Sequence, residues 1–188
     1  MYGKFFEKMI LGSVLSLLGF HLVDHETTEM KTFWLSSRGS KRESDATLIW
    51  ADNQGIRFDI GFIGVGNPEI TLDKVSRFDR VDEIDGTSHS LSTIIIVDRV
   101  GRNSRIPQMA EAIGGRIIQM SATNWAQTLG EELEATLNGY VSPLADLNNK
   151  DYEQAVRDGV VTAPLEQIFQ IAVANTEEEV STDDELDD

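Results

Sequence analysis

The sequence predicts an α/β fold, a mixed sheet flanked by helices. Three observations carry this. An apolar stripe of helical period opens the chain, a β-prone segment and an alternating one flank a turn near residue 53, and helical and strand patterns then take turns up to residue 138. A length of 188 residues suits one domain with a substantial core.

The first element is a buried helix. Phe6, Ile10, Val14 and Leu17 form one stripe, Leu11, Leu15, Leu18 and Leu22 a second, and Gly12, Ser16 and Gly19 would let a neighbour come close. Lys4 and Lys8 ahead of the apolar run 9–20 resemble the start of a secretory signal, but Glu7 interrupts the basic region and no small-x-small cleavage site follows. The run is also short for a membrane span. The expectation is a cytoplasmic protein without a membrane partner. Glu7, between Lys4 and Lys8, reads as part of a surface ion pair.

The segment His25 to Arg42 is polar and mixed, and no element is assigned to it. Two strands come next: Ala46 to Trp50 is β-prone, Ala51 to Gly55 has turn chemistry, and Ile56 to Ile63 alternates. In the second strand Ile56, Phe58, Ile60 and Phe62 share one face and Arg57, Asp59 and Gly61 the other, so Asp59 points away from the most apolar face.

The stretch GFIGVGNPEI that closes this strand looks at first like a phosphate loop. A dinucleotide fingerprint needs a third glycine where Glu69 stands, and a carboxylate there would repel a phosphate. The stretch reads instead as a strand end running into a helix. Asn67 is a suitable N-cap, Pro68 suits the first helical position and Glu69 suits the dipole, giving a helix to about Val81. Ser92 to Asp98 is a buried strand, RVGRNSR a basic loop, IPQMAEAIGG a short helix, GRIIQMSA a further strand, and Asn124 to Asn138 a final long helix carrying Trp125, Leu129, Leu133 and Leu137. Residues 141–176 are less regular, with one helix around Leu165 to Ala172.

Composition narrows the chemistry. No cysteine is present, which excludes disulfides and thiolate metal sites. The net charge of −16 argues against a polyanionic partner, but EEEVSTDDELDD at 177–188 holds half of it. Residues 1–176 therefore read as the single domain and 177–188 as a solvated, disordered acidic tail, or as a screen over a nucleic-acid surface.

The acids give the functional signal. If the two strands pair through the turn at 52–55, Asp45 and Asp59 come side by side at one end of the sheet. Like charges opposite one another destabilise a sheet unless compensated, and oxygen ligands of this kind suit Mg²⁺. Asp45 as a turn cap and Asp59 as an ordinary exposed residue is the other reading. On the helix 68–81, Lys74 falls among Ile70, Leu72, Val75, Phe78 and Val81, where a lysine must snorkel or find an anion such as this pair. Two acids, a cation and a lysine are the apparatus of metal-assisted phosphodiester hydrolysis. Lys41, Arg42, Arg99, Arg102 and Arg105 lie in loops and either hold a nucleic-acid backbone or are simply solvated.

The succession ESDATLIW, GIRFDIGFIG, GNPEITLDKVSRF and STIIIVDR resembles the PD-(D/E)XK nuclease core, and specifically the CfrBI-type restriction endonucleases, over about residues 4–140. The resemblance implies a restriction-endonuclease-like fold and a type II, Mg²⁺-dependent enzyme of a restriction-modification system. Such an enzyme hydrolyses double-stranded DNA at a short palindrome, which implies a homodimer. Asp45 then matches the first acid and Asp59 the second, while Gly61 stands where the pattern has lysine and Lys74 would be a migrated replacement. A second registration takes Asp59 and Glu69 as the acids, with Thr71 at the lysine position, but leaves little room for a returning strand. Glu69 would still reach the metal from the helix start. A repair or recombination nuclease shares this chemistry. A degenerate or truncated domain that only binds DNA or a protein partner is the alternative, favoured by Gly61 and by the negative charge.

Overall fold

The computed structural model describes residues 2–36, 44–52, 54–61, 82–84, 87–99 and 115–183. The elements in chain order are α1 (Tyr2–Leu17), β1 (His21–Leu22), β2 (Thr32–Leu35), β3 (Ala46–Ala51), β4 (Gln54–Gly61), β5 (Asp82–Ile84), β6 (Thr87–Val97), β7 (Arg116–Gln119), α2 (Trp125–Thr136), α3 (Asn149–Thr162) and α4 (Leu165–Asp183). The α/β expectation is borne out: a mixed sheet runs β1-β2-β3-β4-β6-β5, with β7 on β6, and helices pack against it. Among the described residues no helix is long and apolar enough to cross a membrane.

The hairpin β3–β4 forms where alternation and turn chemistry place it. Ala46 pairs with Phe58, Thr47 with Arg57 and Leu48 with Ile56, antiparallel. On its other edge β4 runs parallel to β6, from Gln54 opposite Ser90 to Gly61 opposite Val97, and β7 continues parallel beyond β6. One face of this sheet, with Phe33, Leu35, Ala46, Leu48, Ile56, Phe58, Ile60, Ile94, Ile96 and Ile118, forms the main core together with side chains of α1, α2 and α4. The opposite face holds a smaller cluster around Trp34 and Ile49.

Several expectations need correction. The polar segment after α1 contains β2, whose four residues are all buried and pair antiparallel with β3. In α1 the deep stripe is Leu11, Leu15 and Leu18, each fully buried, whereas Phe6 of the other stripe is 52% exposed. Gly12 does admit a neighbour, since a Cβ there would lie 2.8 Å from the Ile168 side chain of α4. Gly19 serves otherwise. Its φ of +90° ends the helix, with Gly19 N–H bonded to the Ser16 carbonyl and Phe20 N–H to the Leu15 carbonyl, the paired bonds of a Schellman cap.

The helix at 124–138 is not the last. Asn148 accepts hydrogen bonds from the N–H groups of Lys150 and Asp151 and starts α3, which buries Tyr152 alone and so shows little apolar stripe in its sequence. The helix expected at 165–172 is the first half of α4, which continues to Asp183, so the boundary drawn at 176 from charge does not coincide with the helix end. The helix expected at 68–81 and the short helix after the basic loop lie outside the described residues.

Between α1 and α2 the aromatic rings lock the fold. Tyr140 stacks on Phe20 at 5.1 Å between centroids and meets Trp50 edge-on at 5.4 Å. Its hydroxyl donates to the Leu18 carbonyl at 2.8 Å, satisfying an acceptor that the end of α1 leaves open. Burial pushes this phenol up to about 12.

Candidate active site

The exits of β2, β4, β6 and β7 and the entry of β3 lie at one end of the sheet, because β4, β6 and β7 are parallel and β3 runs against β2 and β4. The carboxyl ends of parallel strands are where open sheets place ligands. Both sequence-predicted acids are here.

Asp45 precedes β3 and ties together the segments on either side of it. Its N–H donates to the Phe58 carbonyl at 2.9 Å, and its own carbonyl accepts from the Ser36 N–H at 3.0 Å. Its side chain replaces the next backbone acceptor: the Ile60 N–H donates to Asp45 Oδ2 at 2.9 Å. The carboxylate is thereby fixed against the peptide that joins Asp59 to Ile60. Behind it, the Ser44 and Thr47 hydroxyls lie 3.2 Å apart.

Asp59 lies between Phe58, whose carbonyl accepts the Asp45 N–H, and Ile60, whose N–H donates to the Asp45 carboxylate. Strand parity places its side chain on the face away from Phe58 and Ile60, as alternation predicts. That face is not open to solvent, however: Asp59 is 3% exposed and Arg57, two residues before it, 7%. Thr47 on β3 and Thr93 on β6 sit beside Arg57 and are buried as well. The centre of this face is thus a polar row inside the protein, where each charge interacts more strongly than at a surface.

The remaining sequence-predicted residues are distributed unevenly. Arg99 is exposed just beyond β6, at the same end of the sheet as the two acids. Glu69, Thr71, Lys74, Lys41, Arg42, Arg102 and Arg105 lie outside the described residues. Gly61, at the position where the nuclease pattern has lysine, is the last residue of β4. Among the described residues no group of three His, Cys, Asp or Glu side chains is placed to hold a metal ion.

Two charged residues enter that sequence reasoning passed over. Arg57 was placed on the correct strand face, but parity does not say whether that face is covered. Lys8 was read from its charged neighbours as a surface residue. It is instead 7% exposed, and its Nζ donates to the Ser36 carbonyl at 2.6 Å. The signal was present in the spacing, because Lys8, Leu11, Leu15 and Leu18 fall on one helical face.

The groove between α1, α2 and α3, of 280 Å³, is lined by Met9, Leu17, Trp125, Tyr152 and Val156 among others, contains no carboxylate and takes no part in this chemistry.

Comparison with known proteins bears on the same segments. The sequence model of a family described as CfrBI restriction endonuclease matches residues 1–105, which include α1 and the β3–β4 hairpin. The type II restriction enzyme CfrBI of Citrobacter freundii is 42% identical over 175 residues, covering 91% of this chain and 48% of that protein. The chain therefore spans about half the length of the curated relative it matches. No solved structure matches.

Proposed function

The chain belongs to the CfrBI restriction endonuclease family, and from that premise we propose that it is a type II site-specific deoxyribonuclease whose centre is the Asp45–Asp59 pair. The observation that carries this reading is the placement of the Asp45 carboxylate on the N–H of Ile60, the residue next to the buried Asp59, at the carboxyl end of β4. Two neighbouring acids repel one another, and a bound divalent cation would offset that repulsion.

The donor set fits Mg²⁺, a hard cation that takes one or two carboxylates and leaves its other positions to water and phosphate. Asp45 and Asp59 would hold it, with Glu69 as a further ligand. When bound, it supplies charge neutralisation at the scissile phosphate and acidification of a water. The protein's own residues do the positioning. The Ile60 N–H and the Ser36–Asp45 main-chain bond keep the Asp45 carboxylate from turning away. Lys74 stands in for the lysine absent at Gly61 and orients the attacking water. Arg99, exposed at this end of the sheet, with Lys41, Arg42, Arg102 and Arg105, holds the phosphate backbone of double-stranded DNA. A palindromic site is read by two related subunits, so the active form is a homodimer.

Gly61 favours a second reading, a nuclease fold that binds DNA without cutting it. One experiment decides. Purified protein is incubated with mixed-sequence plasmid and Mg²⁺ beside the Asp59→Asn variant. Discrete fragments from the parent and intact DNA from the variant are expected; intact DNA from both, with retained binding in a gel-shift assay, would leave only the binding reading.

A further inference from the structure

Lys8 is a buried charge that the proposed chemistry does not use. It lies on the deep face of α1, in line with Leu11 and Leu15, where an apolar residue would pack without cost. Its acceptor is Ser36, 28 residues away, at the point where β2 leaves the sheet. Ser36 in turn donates its N–H to the carbonyl of Asp45, and the Asp45 carboxylate receives the Ile60 N–H. An unbroken series of hydrogen bonds therefore runs from Lys8 through Ser36 and Asp45 to the peptide beside Asp59.

Fastening a helix to a carbonyl needs only a neutral donor. A full positive charge at 7% exposure is costly unless anions stand near it. Asp45, Asp59 and Asp98 are among the carboxylates at this end of the sheet, and the hydrogen bonds of Ser36 tie Lys8 to the first of them.

We infer that Lys8 is a positioning residue of the acid pair: by holding Ser36 it fixes the main chain of Asp45, and with it the direction of that carboxylate. The assignment rests on the proposed metal-binding role of the two acids. Its effect passes through Asp45, so it is distinguishable from a helix staple. Groups that orient ligands from behind typically change metal affinity by about 10–100-fold when removed.

The test is Mn²⁺ binding to the protein alone, by calorimetry, for the parent, K8M, K8R, D45N and the K8M/D45N double variant, with thermal unfolding recorded for each. K8M is expected to weaken Mn²⁺ binding about tenfold or more, K8R to recover part of the loss, and K8M to add nothing once Asp45 is asparagine. Parent-like Mn²⁺ affinity in a destabilised K8M, tighter binding in K8M, or K8M and D45N losses that multiply would each overturn the assignment. Should K8M not fold, K8A, which leaves Ser36 without a donor, must show the weakening and K8Q, which keeps one, must bind Mn²⁺ more tightly than K8A; equal affinities overturn the assignment. Plasmid cleavage is scored in parallel. A parent that binds Mn²⁺ through Asp45 but leaves DNA intact removes the nuclease reading and retains the role of Lys8, whereas a parent that binds no Mn²⁺ overturns that role.

Discussion

Replacing Asp45 in two ways separates its structural work from its chemical work. Asp45→Ala removes the acceptor of the Ile60 N–H, a bond of 2.9 Å to a residue that is fully buried. Loss of an acceptor from a buried donor costs about 1–3 kcal/mol. For a chain of this size that corresponds to roughly 2–4 °C in melting temperature per kcal/mol. Asp45→Asn keeps an oxygen for Ile60 and removes one of two opposed charges, so its stability without metal should stay within about 1 kcal/mol of the parent, in either direction. Both variants should lose cleavage by at least about a hundredfold, since each removes charge from the centre. Urea denaturation gives the stabilities and a Mg²⁺-dependent plasmid assay gives the rates. An asparagine variant as unstable as the alanine variant would refute the hydrogen-bond account, and one that still cuts at the parent rate would remove Asp45 from the chemistry.

Two further predictions concern the scaffold. The Tyr140 phenol titrates near 10 in the unfolded chain and at about 12 in the folded protein, because burial disfavours the phenolate. Its contribution is therefore complete below pH 10 and is lost as pH rises through 12. Tyr140→Phe should flatten this part of the alkaline stability curve and cost about 1 kcal/mol at neutral pH through the Leu18 bond, as read from urea midpoints between pH 8 and 11.5; an unchanged alkaline slope would contradict it. Asn148→Ala removes the cap of α3 and should cost about 1 kcal/mol, while Asn148→Asp should cost little. Hydrogen exchange at Lys150 and Asp151 will report it, and unchanged protection there would show that the cap is dispensable.

The sequence was most informative where periodicity and turn chemistry agreed. The β3–β4 hairpin is such a place, and its register brings Asp45, just before β3, to the end of β4 that carries Asp59. The strand β2 was not legible, because four buried residues flanked by Lys31 and Ser36 are too short a run to show a period. The helix α3 was missed for a related reason: its capping residue is clear, but a helix that buries only Tyr152 shows little stripe. At the site the face of Asp59 was legible and its burial was not, since what covers a sheet is decided by segments distant in sequence. Lys8 was legible in principle. Judged by its charged neighbours it belongs outside, and judged by its helical face it belongs inside, and the structure follows the face.

The seating of α1 on α4 has a consequence for the order of events during synthesis. Gly12 receives Ile168, and Phe5 meets Phe169 edge-on, so α1 is made well before the helix it packs against. Domains assemble as units, and apolar surface that waits for its partner stays exposed meanwhile. A chain made only as far as β6 therefore carries Asp45 and Asp59 on a hairpin that is already complete, while the helix bearing Lys8 still waits for one of its packing partners.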